Sequence, residues 1–234
     1  MKKVLIMIPA YNEAANLEKL IEELDTKVPE YDYIIINDGS RDNTENVCAQ
    51  NKYNVIHLPI NLGIGGGVQT GYKYAKKYDY DIAVQIDGDG QHDVAYLKDV
   101  IRPIIDEEAD IVIGSRFLKK EGFQSSISRR VGINWLSGLI LICTGKKIKD
   151  VTSGFRAVNK KFIAVYAEDY PTDYPEPEAI ITAVMHKGKI EEVPVVMRER
   201  VSGTSSINFK KAVYYMIKVT LAILIRRICY GMWR

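Results

Sequence analysis

The sequence predicts an α/β fold with a mostly parallel central sheet flanked by helices. Three observations carry that reading. Short apolar runs without polar alternation recur along the first half, as strands covered on both faces require. Between them lie segments whose apolar residues fall at i, i+3, i+4 and i+7, the stripe of an amphipathic helix. Alternation of the two at these lengths belongs to parallel strand-helix units. With 234 residues, 47% of them hydrophobic, the chain can bury a sizeable core.

Residues 4–8 form the first apolar run, closed by Pro9-Ala10-Tyr11-Asn12-Glu13. From Glu13 a helix carries Leu17, Leu20, Ile21 and Leu24 on one face. A second strand over residues 33–36 stops at the turn-rich Asn37-Asp38-Gly39-Ser40. A polar helix reaching Gln50, a strand over 54–58, a glycine-led helix over 63–78 and a strand ending at Asp87 follow. The next helix repeats the stripe with Leu97, Val100, Ile101 and Ile104, ahead of a strand over 110–114. The second half is less regular. Residues 125–149 contain a helix with Arg130, Asn134 and Ser137 on a narrow polar face and Ile133, Trp135, Leu136, Leu139, Ile140 and Ile142 around the rest. A strand is expected over 150–155, helices over 159–167 and 178–186, a strand over 190–197, and a long amphipathic helix from Asn208. Residues 1–206 are read as one domain, which includes 125–149 as an acceptor or membrane segment. Residues 207–234 are read as a C-terminal helix lying on a membrane surface, since Lys211 and Lys218 share one face of an otherwise apolar stretch.

Ligands of parallel sheets gather beyond the carboxyl ends of the strands. Residues 9–13, 37–40 and 87–91 and Gly114-Ser115-Arg116 each follow a predicted strand, so all four should line one edge. At the exit of the strand ending at Asp87, Asp87 and Asp89 can converge on one point, and Gln91 can add a carbonyl. Hard cations such as Mg²⁺ and Mn²⁺ favour such oxygens; a solvated acidic turn is the plainer reading of Asp-x-Asp by itself. Asn61-Leu62-Gly63-Ile64-Gly65-Gly66-Gly67 is no dinucleotide fingerprint, because Val68 stands where the third glycine is needed. It either brings backbone amides, Gly65 and Gly66 among them, near phosphate or sugar oxygens, or is a purely structural turn. His57, His92 and His186 form no cluster in sequence, and no Walker loop or Gly-x-Ser-x-Gly is present.

The net charge is only +2, but it is unevenly spread. Residues 119–149 hold seven basic side chains against Glu121 alone, and after Glu199 there are seven more and no acid. Local positive charge of this kind fits an anionic surface or phosphate. Cys48, Cys143 and Cys229 are odd in number and widely separated, as in a reducing compartment. Pro9 ends the first apolar run too early for a signal peptide. No uncharged segment approaches the roughly 20 apolar residues that span a bilayer. A cytoplasmic location, peripheral on the inner membrane face, is expected.

The motifs Pro9-Ala10-Tyr11-Asn12-Glu13, Asn37-Asp38-Gly39-Ser40 with Asp42 and Thr44, Asn61-Leu62-Gly63, Asp87-Gly88-Asp89-Gly90-Gln91-His92 and Gly114-Ser115-Arg116 together resemble family 2 of the glycosyltransferases. Asp150-Val151-Thr152-Ser153-Gly154-Phe155-Arg156 and Arg198-Glu199-Arg200 through Ser206 resemble its dolichyl- and polyprenyl-phosphate sugar synthase branch. The resemblance implies a GT-A fold, a nucleotide-sugar donor, and inversion at the anomeric carbon. It implies that Pro9, Ala10, Tyr11 and Glu13 hold the nucleoside, that Asp38 reads the base, and that Asp87, Asp89 and Gln91 hold Mg²⁺ or Mn²⁺. Arg116, Arg200 and Lys210 would meet donor phosphates, and Arg129, Arg130 and Asn134 the acceptor. Asn37 departs from the family, which more often has a second aspartate there.

The leading expectation is transfer of a monosaccharide, from UDP-glucose or UDP-N-acetylglucosamine, to polyprenyl phosphate, with Asp89, Arg116, Arg130 and Glu178 as the catalytic set. The alternative is transfer to a hydroxyl of a lipid-linked saccharide, which needs a carboxylate base; Asp173, Glu176 and Glu178 are the candidates. Expected partners are the donor, the lipid acceptor, a membrane surface, and either a small membrane protein or further copies of the chain; nucleic acid is not expected.

Overall fold

The structure is a computed structural model that describes residues 2–119, 121–122, 127–198 and 209–232. In chain order the elements are β1 (Val4–Ala10), α1 (Ala14–Lys27), β2 (Asp32–Asn37), α2 (Thr44–Gln50), β3 (Val55–His57), α3 (Gly63–Lys77) and β4 (Ile82–Gln85). A short 3₁₀ turn leads into α4 (Leu97–Ile105), followed by β5 (Ile111–Ser115), α5 (Ile127–Thr144), β6 (Arg156–Asn159), α6 (Lys160–Glu168), α7 (Pro175–Met185), β7 (Ile190–Pro194) and α8 (Phe209–Met232). The strands form one seven-stranded sheet in the order β3-β2-β1-β4-β6-β5-β7. All neighbours are parallel except at β6, which runs antiparallel to both β4 and β5. This is the α/β architecture of the GT-A fold.

The uninterrupted apolar run of β1 is explained by cover on both faces. Leu5 and Met7 join the cluster formed with α3, α5, α6, α7 and α8. Val4, Ile6 and Ile8 join the opposite cluster with α1 and α4. Alternate side chains of one strand thus enter two cores, and neither face can be polar. Helix α8 packs across α5 and α7, burying Val219 and Ile223 in the first of these cores.

Two sequence expectations shift. Pro9 and Ala10 are the last residues of β1 rather than loop residues, and both are buried. The Pro9 carbonyl accepts from Gly88 N–H on the β4 side. Its missing donor faces that same side, where pairing with β4 has ended at Met7 and Gln85, so the proline costs no ladder bond. The strand expected over 150–155 is instead a buried polar turn, and the strand is Arg156–Asn159. Val151 and Phe155 are buried as a strand reading requires, but Asp150, Thr152 and Ser153 spend their side chains on neighbouring groups.

Candidate active site

The carboxyl ends of β1, β2, β4 and β5 share one edge, as their parallel registers require, and antiparallel β6 begins there, adding the turn before it. The first two loops are stitched together. Asn12 N–H donates to Ser40 Oγ at 2.9 Å, and the Arg41 and Asp42 amides donate to Asn12 Oδ1. Glu13 N–H reaches Thr44 Oγ1, and Ala14 N–H reaches Asp42 Oδ2 at the start of α1. Burial raises the Asp42 pKa, but the Thr44 hydroxyl and amide and the Ala14 amide outweigh it and hold the carboxyl below its ordinary value. Tyr11 is exposed beside this network, and Glu13 is half-buried. Asp38 lies deeper. Its Oδ1 accepts Leu62 N–H at 2.7 Å and its carbonyl accepts from Asn61, so it anchors the loop that enters α3. Burial pushes its carboxyl above the ordinary aspartate value, against the Leu62 and Gly63 amides. Where the resemblance implied a base contact, the carboxylate is engaged in holding this loop.

Asp87 and Asp89 follow β4. Asp87 Oδ1 accepts from Gln85 Nε2 at 3.0 Å, while Asp89 is buried and accepts Gln91 N–H at 3.0 Å. Gln91 is tied to residue 198: Arg198 N–H donates to its carbonyl at 2.9 Å, and its Nε2 lies 3.4 Å from the Arg198 carbonyl. The Arg198 guanidinium in turn pairs with Glu23 and Asp93. Among the described residues no group of three His, Cys, Asp or Glu gathers into a metal cluster. Asp87 and Asp89, both following β4, and the neutral Gln91 amide are nonetheless the donor types that suit a hard cation taking its other ligands from phosphate and water.

Arg116, expected to meet phosphate, is paired with a carboxylate in this structure. Its Nε and Nη2 donate to Asp150 Oδ2 and Oδ1, each at 2.7 Å, and Nη2 also reaches Thr152 Oγ1. Both side chains are buried, so the guanidinium is committed to structure. Gly65 and Gly66 are likewise interior. Gly65 N–H donates to the Thr172 carbonyl at 3.0 Å, and a Cβ on Gly65 would lie 2.1 Å from the Pro171 oxygen. The glycines let the loop before α7 lie on the start of α3, a structural role that Gly65 fills with its amide engaged.

Helix α7 separates the candidate bases. Glu178 faces α8, its Oε2 3.6 Å from Arg226 Nε, rather than the cleft. Asp173 pairs with Lys218. Glu176, two positions earlier and therefore on another side of the helix, interacts with Arg156, Asp87 and Arg129. Burial pushes its carboxyl up; Arg156 and Arg129 oppose that, and the Asp87 charge adds to it. Arg156 is buried and bonds only to backbone oxygens, those of Ser153, Glu176 and Val151, which fixes the first turn of α7 to the 150–155 turn. Sequence reasoning placed Arg156 in the motif that carries the branch resemblance but gave it no role.

On α5, Arg129 feels Arg116, Tyr215, Asp150 and Glu176; desolvation, then the Arg116 cation, lowers its pKa. Arg130 is directed elsewhere, over the Phe117 ring at 5.0 Å, and Asn134 is exposed. The charges of Asp87 and Arg129 both act on Glu176, while Arg130 lies over Phe117 and Glu178 beside Arg226. Arg200 and the side chain of Lys210 lie outside the described residues. Exposed apolar residues continue from the cleft along α5 (Val131, Trp135, Leu141, Ile142) and α8 (Ile217, Leu221, Ile225, Ile228). No helix among the described residues is long and apolar enough to cross a membrane.

The sequence model described as glycosyl transferase family 2 matches residues 5–166. The UDP-N-acetylglucosamine–dolichyl-phosphate N-acetylglucosaminyltransferase of Methanococcus voltae is 33% identical over 217 residues, 83% of this chain and 85% of that protein. The undecaprenyl-phosphate mannosyltransferase of Micrococcus luteus is 28% identical over 218 residues, 88% of each. The crystal structure of glucosyl-3-phosphoglycerate synthase from Mycobacterium tuberculosis with Mn²⁺, UDP-glucose and phosphoglyceric acid matches with a TM-score of 0.74 at 15% identity, covering 97% of this chain and 80% of that one.

Proposed function

Because the chain belongs to glycosyl transferase family 2 and is a glycosyltransferase, we propose that it moves a monosaccharide from a nucleotide sugar, UDP-glucose or UDP-N-acetylglucosamine, to polyprenyl phosphate at the cytoplasmic membrane face, with inversion. The observation that carries the acceptor is the position of Arg129. It lies within the electrostatic influence of Arg116, Asp150 and Glu176, in the first turn of a helix whose outer residues, Val131 and Trp135 first, are exposed and apolar. A cation where a cleft meets an apolar face suits an acceptor with a phosphate head and a hydrocarbon tail. Relatives whose names specify dolichyl or undecaprenyl phosphate support the same reading.

A nucleoside diphosphate leaves with growing negative charge. A divalent cation held by Asp87, Asp89 and Gln91 would supply neutralisation of that charge, and the synthase from M. tuberculosis is seen with Mn²⁺ and UDP-glucose together. The chain's own residues orient the reactants. The Asn12, Ser40 and Asp42 network keeps the two nucleoside-side loops in register, and Tyr11 offers an exposed ring beside them. On the acceptor side, a phosphate monoester has a second pKa of about 6 and is largely dianionic near pH 7. It is its own nucleophile: its oxygen bonds to the anomeric carbon as the bond from that carbon to the diphosphate oxygen breaks on the opposite side. Arg129 would hold it, and Arg200 and Lys210 would add positive charge on the donor side.

One observation favours a second reading, transfer to a saccharide hydroxyl. Glu176 is a carboxylate whose pKa is raised by burial and, secondarily, by the Asp87 charge, as suits a general base. Incubation with a panel of nucleotide sugars, offering undecaprenyl phosphate in one arm and lipid-linked saccharide in the other, followed by mass analysis of the lipid, decides between them. Product only in the saccharide arm would overturn the lipid-phosphate assignment.

A further inference from the structure

We infer that Gln85 and His92 are positioning residues that hold the Asp87 carboxylate from two sides. This rests on the reading of Asp87 as a ligand of the donor's cation. Gln85 is the last residue of β4 and is 1% exposed. Its Nε2 donates to Asp87 Oδ1 at 3.0 Å. A carboxylate only accepts, so the amide nitrogen must face it and the amide oxygen must face away. Among the described residues that buried oxygen has no hydrogen-bond partner. An orphaned buried acceptor lowers stability, and an apolar side chain of the same length would serve the core better. The amide is explained by what its nitrogen does for Asp87.

His92 completes the arrangement. It is buried and stacked on Phe155, with ring centroids 5.0 Å apart and planes at 19°. Its Nδ1 accepts Asp87 N–H at 3.0 Å, which leaves the ring proton on Nε2. Nε2 stands 3.7 Å from Asp87 Oδ2. One ring therefore fixes the backbone of Asp87 and flanks its free carboxylate oxygen. Gly154 closes a third side: a Cβ there would come within 3.0 Å of Oδ2 and 3.2 Å of Oδ1. Partners of this kind set the orientation of metal-binding carboxylates.

The full chain with Gln85→Leu, Gln85→Met and His92→Phe tests the inference, the last keeping a ring on Phe155. Mn²⁺ affinity in the presence of UDP, read by electron paramagnetic resonance, should weaken about tenfold or more in each variant. The Tm of Gln85→Leu and Gln85→Met should stay level or rise. A merely structural glutamine gives the reverse, a lower Tm with affinity kept. Affinity within twofold of wild type in all three variants would overturn the inference. Should wild type itself bind no Mn²⁺ with UDP, the cation reading fails separately. A double-mutant cycle of Gln85→Leu with Asp87→Asn, read by UDP affinity without metal, then decides: coupling supports positioning of Asp87 by Gln85, and strict additivity overturns it.

Discussion

Arg116 and Asp150 form a buried two-point ion pair, and the same Asp150 Oδ2 also accepts Arg116 N–H at 3.0 Å. Glu192 of β7 holds Asp150 from behind by accepting the Lys149 and Asp150 amides. Removing one partner strands the other charge in the interior, which costs roughly 3–5 kcal/mol. Asp150→Ala should therefore lower Tm by roughly 10 °C for a chain of this size, and Arg116→Met with Asp150→Leu should recover part of the loss. Thermal unfolding checks this. An Arg116→Met variant with unchanged Tm and much weaker donor binding would return Arg116 to the phosphate role.

Asp89→Asn removes one ligand charge with almost no change in size. It should keep the fold and lower metal-dependent transfer at least ~100-fold. Full turnover of this variant in saturating Mn²⁺ and Mg²⁺ would refute the cation assignment.

Glu176 gives a prediction with a definite sign in pH. Its folded pKa lies above the ordinary glutamate value of 4.5 because burial disfavours the charge. The folded state then binds a proton more tightly than the unfolded one, so stability falls as pH rises from the unfolded value through the folded one. Glu176→Gln should be more stable than wild type at pH 7 and lose that advantage below pH 4.5. With lipid phosphate as acceptor it should lower transfer by only about tenfold, because no base is needed. Arg129→Ala should cost more. Loss of all activity in Glu176→Gln would favour a hydroxyl acceptor.

Gly65→Ala places a methyl group against the Pro171 and Thr172 oxygens. Overpacking of this kind costs about 1–3 kcal/mol. Because Thr172 precedes Glu176 by a single turn of chain, kcat should fall along with Tm. An alanine variant as stable and active as wild type would show that the loop does not need this close approach.

Ile217, Leu221, Ile225 and Ile228 are all more than half exposed on α8 and fall on one face. The opposite side of the helix buries Val219 and Ile223 and pairs Arg226 with Asp169, while Lys218, at the border of the exposed face, pairs with Asp173. Ile217→Glu with Leu221→Glu and Ile225→Glu should reduce flotation with anionic liposomes and leave Tm nearly unchanged, since exposed positions contribute little to the fold. Equal flotation of variant and wild type would remove the membrane reading of this face.

The sequence by itself determined the alternation of strands and helices, the edge on which the polar motifs meet, and the family. Each of these depends on local pattern: the apolar run of β1, the stripe Leu17, Leu20, Ile21 and Leu24, and the Asp87 to His92 motif are legible in short windows. The tertiary structure decided which of the charged residues are free to act. Arg116 and Arg129 look alike in sequence, yet one is paired with Asp150 in the interior and the other, on α5, feels the charges of Arg116, Asp150 and Glu176. Glu176 and Glu178 are two positions apart, and only the packing of α7 against α8 assigns Glu178 to Arg226. Arg156 and Gln85 gave little sequence signal, because their roles arise from strand pairing between β4 and β6. A charge's function depends on its partners, and those partners lie tens of residues away along the chain.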